Sequence, residues 1–519
     1  MTILVQERWI AGLLFFGLLA LTARPATDPD LWWHLRTGEW IVSHHQIPHT
    51  DPFSFTRAGS PWISQEWLSE LLFYEIWRWA SWPGLIFFSA IVTTAAFLLL
   101  FWRCAAPAHW AAAATVVGAL ACAPAWGSRP QMFTFLAASL WLWLLERGEK
   151  RPWRLLWILP LFLLWLNLHA GFALGPALLV AYAIGMMWEG LSGDTTREIV
   201  RLQTGRLGLI LAACLALVPL NPSGIELYWY PLRILHSATM RSFITEWRSP
   251  DFHRAIYVPL LLLSLTLVAV VALRPRISKA RILVPLLATF VAALDAARHV
   301  PIFVLLAIPV IAAAAPQPFR IWPSMRTNLA PARFAVIARS LAVLAMAGLM
   351  CLQWTRLSQN QHQNEAQMFP VEAIHRLAAA NASHRVFAHY DWGGYLIWKL
   401  YPDYRVFIDG RADLYGDDLF RQFQDAMELR PGWRRSLDCS QVGAVMVPTS
   451  SALAQGLLLD PAWDREYHDA QASLFLRRPG IRGTPEAGAA PKPDSEAGSA
   501  SLGQKSEKIY TRAALNLRN

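Results

Sequence analysis

Long apolar runs separated by short polar segments dominate the first 355 positions of this chain. Residues 85–102, 155–166 and 258–273 are each mostly apolar. A helix needs roughly 20 mainly apolar residues to cross ~30 Å of hydrocarbon, and several of these runs are shorter than that. The pattern therefore predicts an α-helical polytopic membrane bundle whose helices pack against one another, rather than a set of isolated anchors.

The hydropathy pattern predicts about eleven spans. They lie near residues 9–23, 83–102, 109–126, 130–146, 153–168, 171–189, 206–220, 256–273, 281–295, 298–315 and 335–353. The first apolar segment has no small-residue cleavage site after it, so we expect it to be retained as a helix.

The lysines and arginines predict the orientation of the bundle. Basic clusters follow spans four, six, eight and ten, at 147–154, 197–206, 274–281 and 320–333. Because basic loops stay on the cytoplasmic side, these four loops should be cytoplasmic. The loops 24–82 and 221–255, the turns at 127–129 and 169, and everything after residue 350 should then lie outside.

The pattern changes after residue 355. Residues 356–480 alternate short apolar segments with Gly/Asp turns, and the stretch VGAVMVPTS is typical of a buried strand. Segments 371–380 and 417–429 have helical periodicity. We predict a membrane domain over 1–355, a small extracytoplasmic α/β domain with a parallel or mixed sheet over 356–480, and a disordered tail rich in Pro, Gly, Ala and Ser over 481–519.

Composition excludes several classes of function. The chain is 55% hydrophobic and 16% charged, with a net charge of +10. The basic residues cluster in short loops, which indicates membrane topology and not nucleic-acid binding. The five cysteines have neither disulfide nor metal spacing.

The first external loop opens with the sequence TDPDLWWHLRTGEWI. Asp28 before Pro29 is typical of a helix N-cap followed by proline at the first helical position. Asp30 would then lie in the first turn, and His34 one turn further on the same face. We expect Asp30 and His34 to face a cavity, and two interpretations of the aspartates stay open: helix start or reactive acid.

Polar residues also stand at the predicted outer ends of three spans. Arg129, His169 and Arg298 occur in GSRP, NLHAGF and ARHVPIF, and Glu246 occurs in the outer loop segment ITEW. Polar groups within apolar spans usually face a cavity because burying them is costly. We predict that the basic groups form an anion-binding cavity opposite the acidic first loop.

Other polar residues of the first loop have structural interpretations. Glu66 and Glu70 are one turn apart and are predicted to lie on a solvated helix face, and Asp51 before Pro52 is predicted to form a turn. The histidines at 44, 45 and 49 lack regular ligand spacing. In the α/β domain, Asp391 and Asp409 are expected at strand ends or turns, where Gly393, Gly394 and Gly410 permit close backbone approach.

This order of motifs resembles the GT-C membrane glycosyltransferases, and within them the catalytic subunits of oligosaccharyltransferases. The resemblance rests on DPDLWWHLRTGEWIV, ITEW, ARHVPIF and YDWGGYLIW followed by VFIDGRADLY. It implies an essential acid at Asp28, a glutamate-bearing external loop at Glu246 and an arginine near the lipid phosphate at Arg298. It also implies that Asp391, Trp392 and Asp409 belong to an acceptor-binding or structural segment.

The chain departs from that family pattern at two places. HYDWGG replaces a tandem tryptophan before the aspartate, which leaves the acceptor open. GSRP lacks the acids that help to hold a metal in the family, so a divalent metal such as Mg²⁺ or Mn²⁺, with Asp28 or Asp30 as ligand, is implied only by the resemblance.

The leading hypothesis is a multi-pass glycosyltransferase of the bacterial inner membrane that uses a polyprenyl-phosphate-linked or polyprenyl-diphosphate-linked sugar. Asp28 or Asp30 would be the base, Glu246 would orient an acceptor of unknown identity, and Arg298, Arg129 and His169 would hold the lipid phosphate. Two alternatives stay open. One is a transporter or flippase of a lipid-linked or anionic substrate, and the other is a non-catalytic assembly protein that binds partners through its α/β domain.

Overall fold

The computed structural model describes residues 2–274, 279–314, 332–380 and 383–479. The predicted disordered tail at 481–519 and most of the predicted basic loop at 320–333 lie outside the described residues.

Helices account for most of the described chain. They are α1 (Thr2–Thr22), α2 (Leu31–His44), α3 (Trp67–Arg103), α4 (Ala108–Ala121), α5 (Gln131–Gly148), α6 (Ile158–Leu168), α7 (Leu174–Leu191), α8 (Arg197–Leu217), α9 (Tyr230–His236), α10 (Ala238–Phe243), α11 (Val258–Leu273), α12 (Ala280–Asp295), α13 (Val300–Ala313), α14 (Ala332–Gln359), α15 (Gln361–Met368), α16 (Val371–Ala379), α17 (Tyr390–Leu400), α18 (Ala412–Met427), α19 (Trp433–Cys439) and α20 (Ala452–Leu458). Short 3-10 turns precede α6, α7, α11 and α13 and extend those helices.

A helix lies at each of the eleven segments for which the hydropathy pattern predicts a span. Among the described residues, five helical segments are long and apolar enough to cross a membrane, namely Trp67–Arg103, Ala170–Leu191, Arg197–Leu220, Ala255–Leu273 and Val336–Gln359. Large apolar side chains on α11, such as Leu262, Leu265 and Val268, are more than half exposed, as expected of a surface that faces lipid. The chain is an integral membrane protein; the number of crossings and their orientation stay predictions.

Helix α3 joins the loop 24–82 to the bundle through a kink. Ser81 has φ 53° and ψ −156°, which breaks the helical path, and Pro83 lies just beyond it. Proline lacks the N–H that would continue the ladder of hydrogen bonds. The amphipathic first part of α3 therefore belongs with the loop 24–82, and the apolar remainder begins where the span was predicted.

The C-terminal region contains a mixed five-stranded sheet. Its strands are β1 (Arg385–Ala388), β2 (Arg405–Val406), β3 (Ala444–Pro448), β4 (Trp463–His468) and β5 (Ala472–Arg477), in the order β2-β1-β3-β5-β4. β1 runs parallel to β2 and β3, whereas β5 runs antiparallel to β3 and β4. The predicted α/β character and mixed sheet of this region agree with the structure.

The first loop and the α/β region share one hydrophobic core. Trp32 of α2 is fully buried, and its ring centroid lies 4.7 Å from that of Tyr395 and 5.2 Å from that of Phe369. The loop also extends the sheet, since the backbone N–H of Phe55 donates to the carbonyl of Val406 at 3.1 Å. These contacts hold the α2 segment against the C-terminal region.

Candidate active site

A cavity of about 760 Å³ lies between the starts of α2 and α5, the junction of α6 with α7, the segment 230–247 and the α/β region. It brings together side chains that are far apart in the sequence. Among the predicted site residues, its lining contains Asp30, His34, Arg129, His169, Glu246, Arg298 and Asp391.

The aspartates at the start of α2 adopt a different arrangement from the predicted one. α2 begins at Leu31 with Asp30 at the N-cap position, so the prediction that Asp28 is the N-cap and Pro29 the first helical residue is wrong by two residues. Asp28 Oδ1 instead accepts a hydrogen bond from the backbone N–H of Asp30 at 3.0 Å, which forms an Asx turn. Of these two described aspartates, Asp30 lines the cavity and Asp28 does not.

Arg129 is the centre of a cluster of three carboxylates. Its Nε lies 2.6 Å from Asp28 Oδ2, its Nη2 3.2 Å from Asp30 Oδ2, and its Nη1 2.8 Å from Glu246 Oε2. All three nitrogens of the guanidinium are therefore engaged by acids, each on a different residue. Arg129 was predicted to help hold a lipid phosphate, but in this arrangement its charge is already directed to carboxylates.

Arg298 is more loosely paired than Arg129. Its Nη1 lies 3.6 Å from Glu246 Oε1, and its guanidinium carbon stacks 4.1 Å from the ring centroid of Trp247. The side chain is 21% exposed and lines the cavity. Arg298 therefore lines the cavity with one long ion pair and a partly exposed guanidinium, a group suited to binding phosphate.

Burial and neighbouring charge tune the acids of this cluster. Burial raises the pKa of Asp30 to about 7, against the opposing charge of Arg129. Burial also opposes the ionisation of Glu246, yet Arg129 and Arg298 together hold the pKa of Glu246 below its usual range. The cluster therefore contains one acid that is ionised throughout the neutral range and one that exchanges its proton near neutrality.

Glu66 and Glu70 form a buried group that the sequence interpretation missed. They were predicted to lie on a solvated face, which is wrong: Glu70 is 1% exposed, and Glu66 lines the cavity. Glu66 Oε2 lies 3.7 Å from His34 Nε2, and Glu66 Oε1 lies 3.6 Å from His169 Nε2. Burial raises the pKa of Glu66 to about 8, so Glu66 is mostly protonated at neutral pH.

His169 is a neutral imidazole in this structure. Its Nδ1 accepts from the backbone N–H of Gly171 at 2.9 Å and lies 2.7 Å from the hydroxyl of Thr134. The Thr134 hydroxyl oxygen accepts a hydrogen bond from the indole N–H of Trp165, so the hydroxyl can donate its proton to His169 Nδ1. The ring proton must then be on Nε2, and burial lowers the pKa of His169 to about 3. His169 can therefore donate a hydrogen bond towards the cavity but brings no charge.

A second arginine, Arg411, also binds two carboxylates, and sequence patterns did not identify it. Its Nη1 lies 2.8 Å from Asp51 Oδ1 and its Nη2 lies 2.7 Å from Asp409 Oδ2, with all three side chains at most 1% exposed. Asp51 does form the predicted turn, since it accepts from the backbone N–H of Phe53 at 2.9 Å. Asp409 Oδ2 also accepts a hydrogen bond from the hydroxyl of Tyr415. This cluster fastens the first loop to the α/β region.

The YDWGG segment is helical. Asp391 was expected at a strand end or turn but lies in the first turn of α17, with its side chain 56% exposed. Trp392 is 6% exposed and packs in the shared core, so its contribution is structural. Gly394 is needed for close approach, because an added Cβ would lie 2.8 Å from the carbonyl oxygen of Pro29.

Carboxylates are the ligands that Mg²⁺ and Mn²⁺ prefer, and three of them converge here. They converge, however, on the guanidinium of Arg129, which engages every one. Within the described part of the chain, no group of three or more His, Cys, Asp or Glu side chains is arranged to hold a metal. The arrangement does not fit a divalent ion, so the metal role predicted for Asp28 or Asp30 has no support in this geometry.

The structure is similar in fold to known proteins, whereas the sequence comparisons found no match. No protein family profile and no curated protein matches the sequence. The archaeal oligosaccharyltransferase AglB from Archaeoglobus fulgidus, in complex with an inhibitory peptide and a dolichol-phosphate, superposes with a TM-score of 0.57 at 11% identity over 85% of this chain and 69% of that chain. The oligosaccharyltransferase of the same organism in its apo form gives a TM-score of 0.51 at 11% identity, with the same coverage. ArnT from Cupriavidus metallidurans, bound to undecaprenyl phosphate, gives 0.48 at 13% identity over 92% of this chain and 98% of that chain.

The chain has a GT-C fold. The predicted likeness to this group is thereby confirmed for the fold, including the C-terminal sheet that follows the bundle. At 11% identity the fold is the shared feature.

Proposed function

We propose that this protein is a membrane glycosyltransferase that moves a sugar from a polyprenyl-phosphate-linked or polyprenyl-diphosphate-linked donor to an acceptor on the extracytoplasmic face. One observation carries the proposal. Asp30 and Arg298 line the same cavity and are joined by a continuous series of ion pairs through Arg129 and Glu246. Phosphate binding and acceptor activation can therefore occur within one site, as glycosyl transfer requires.

The proposed reaction exchanges one bond at the anomeric carbon for another. The bond from that carbon to the donor phosphate oxygen breaks, and its electron pair leaves with the phosphate, where the guanidinium of Arg298 stabilises the developing charge. The acceptor nucleophile forms the new bond and loses its proton to the carboxylate of Asp30. A pKa of about 7 suits Asp30 to this role, because a general base works best near the ambient pH.

The remaining predicted residues have supporting roles in this proposal. Glu246 aligns Arg298, and Asp28 holds the turn that directs Asp30 inward. Neutral His169 donates an N–H towards the cavity. Asp391 and His34, which also line it, are candidates for acceptor contacts. The reaction as proposed contains no step through a metal.

The fold likeness supports the donor class by analogy. The archaeal oligosaccharyltransferase was solved with a dolichol-phosphate, which is a polyprenyl-phosphate type of lipid. A chain with the same bundle and a cavity that combines an arginine with a titratable acid is suited to such a lipid. The acceptor and the sugar are left undefined by this analogy.

The test uses membranes that contain the protein and a radiolabelled polyprenyl-phosphate sugar. We expect the wild type to release the lipid phosphate from the donor, and Asp30→Asn to slow release by about 10²-fold or more, since general-base catalysis contributes 10²–10⁴-fold. Asp251→Asn is the matched control, because Asp251 is an exposed aspartate of the loop that carries Glu246. Full activity in Asp30→Asn would refute the assigned base.

The same assay separates the two alternative functions. A flippase would move the labelled lipid across the membrane without splitting it, and an assembly protein would leave both its location and its structure unchanged. Donor consumption that depends on Asp30 is expected only of the transferase.

A further inference from the structure

We infer that Arg129 takes the place of a divalent cation in this site, so that a guanidinium fixed in the chain holds the three carboxylates around the cavity. This inference deepens the proposed function and rests on it for its catalytic consequence. It concerns how the acids are held together, which is a property of the protein even without substrate.

The first support is the geometry of the guanidinium. Each nitrogen of Arg129 faces a different acid, with Asp28 at Nε, Asp30 at Nη2 and Glu246 at Nη1. These acids come from two separate external loops, so the arginine does what a bridging cation would do. A metal bound by the same oxygens would have to displace the guanidinium from between them.

The second support is the charge of the cluster. Three carboxylates face two guanidiniums, those of Arg129 and Arg298, which leaves one negative charge when every acid is ionised. The raised pKa of Asp30 allows that charge to be removed by a proton near neutral pH. The cluster is therefore close to balanced by its own residues.

The third support is the anchoring of Arg129. It directly precedes Pro130, which disfavours helical backbone at Arg129 and so narrows its backbone conformation. Its other neighbour, Ser128, is 1% exposed and receives a hydrogen bond from the hydroxyl of Ser89 on α3 at 3.0 Å. The guanidinium is thus presented from a fixed turn.

Arg129 acts as a positioning residue in this inference. By holding Asp30 it also favours the ionised form of that carboxylate, which opposes the effect of burial. Removing Arg129 should therefore lower the rate near neutral pH in two ways: the carboxylates separate, and a smaller fraction of Asp30 is ionised because its pKa rises.

The experiment measures Mn²⁺ binding to the detergent-purified full chain by electron paramagnetic resonance, without substrate. We expect Arg129→Ala to bind about one more Mn²⁺ per chain than the wild type, because three carboxylates lose their cation. Arg254→Ala is the matched control, since Arg254 is exposed on the same external loop as Glu246, and it should bind as the wild type does. A wild-type Mn²⁺ site that Glu246→Gln removes would overturn the inference, and so would an Arg129→Ala protein that gains no Mn²⁺.

A second readout tests the catalytic consequence. Wild-type donor release should be unchanged by EDTA, and the acidic limb of its pH profile should move to higher pH in Arg129→Ala. Activity that EDTA abolishes and Mg²⁺ or Mn²⁺ restores would refute the inference. If neither the wild type nor any variant releases the lipid phosphate, the proposed function fails. The Mn²⁺ measurement still tests whether Arg129 takes the place of a divalent cation.

Discussion

Arg129 and Arg411 are two of the arginines in the described part of the chain that bind more than one carboxylate, and they lie in different settings. Arg411 binds Asp51 and Asp409 in a cluster whose side chains are at most 1% exposed. Arg129 binds its acids at the wall of a cavity, with side-chain exposures of 16–30%. The chemical groups are the same, and access to solvent differs.

The difference in side-chain exposure indicates different roles for the two clusters. The closed cluster links residues about 360 positions apart, and its side chains are at most 1% exposed, so it stabilises the contact between the first loop and the α/β region. The open cluster shares its cavity with Arg298 and includes an acid with a pKa of about 7. The exposure of the side chains, and not the presence of an arginine–carboxylate cluster, therefore distinguishes the candidate reactive site from the structural one.

The largest expected effect is the loss of stability in Arg411→Ala. Removal of one partner leaves two buried carboxylates without compensation, which costs about 3–5 kcal/mol. Arg129→Ala should cost less, because cavity water can solvate its acids. Thermal unfolding followed by tryptophan fluorescence in one detergent compares the two variants. Equal losses would contradict the distinction between a closed and an open cluster.

The sequence predicts the helices of this protein better than its clusters. Hydropathy is a local property of the sequence, and all eleven apolar segments coincide with helices. The predicted topology brings Arg129, Glu246 and Arg298 to the same face of the bundle, and in the structure these three side chains line one cavity. The Asp51–Arg411 pair depends on how the loop docks on the sheet, which no local pattern reports.

Glu66 and the YDWGG segment show two further limits of sequence patterns. An acid pair one turn apart resembles a solvated face, yet Glu66, which directly precedes α3, lies 3.7 Å from His34 Nε2 and 3.6 Å from His169 Nε2. Asp391 of YDWGG is predicted at a strand end or turn but lies in the first turn of α17. The predicted close backbone approach at the glycines of this segment is confirmed, since a Cβ on Gly393 would lie 2.3 Å from the carbonyl oxygen of Ile408. Tertiary contacts override local preference in both cases.

The next effect is at the contact between the α/β region and the open cluster. A Cβ at Gly410 would lie 1.9 Å from Asp30 Oδ1, so Gly410→Ala must displace that carboxylate. A shift of about 1 Å can cost about 10²-fold in rate, and we expect a loss of that order in donor release. Gly348→Ala, where nothing lies within 4 Å of the added Cβ, is the control. Unchanged activity in Gly410→Ala would show that Asp30 is not held in a working position.

A smaller effect is expected from pH. Because the pKa of Asp30 is raised to about 7, its carboxylate is protonated below that pH and available as a base above it. Donor release should therefore fall as pH decreases through about 7, approaching tenfold per unit below about pH 6. The residual rate of Asp30→Asn should lack this limb. A wild-type rate that is flat between pH 5.5 and 8 would exclude Asp30 as the titrating base.

The smallest expected effect is at Trp247, which supports the more loosely paired arginine of the open cluster. The guanidinium of Arg298 lies over its ring, and a cation–π contact at a partly exposed site contributes about 0.5–1 kcal/mol. Trp247→Leu should therefore raise KM for the lipid-linked donor about two- to fivefold with little change in kcat, because Arg298 keeps its charge but loses a fixed orientation. Trp229→Leu is the control, since Trp229 is 65% exposed on the same loop. A fall in kcat without a change in KM would instead place Trp247 against the reacting sugar, and the open cluster would then extend beyond the phosphate.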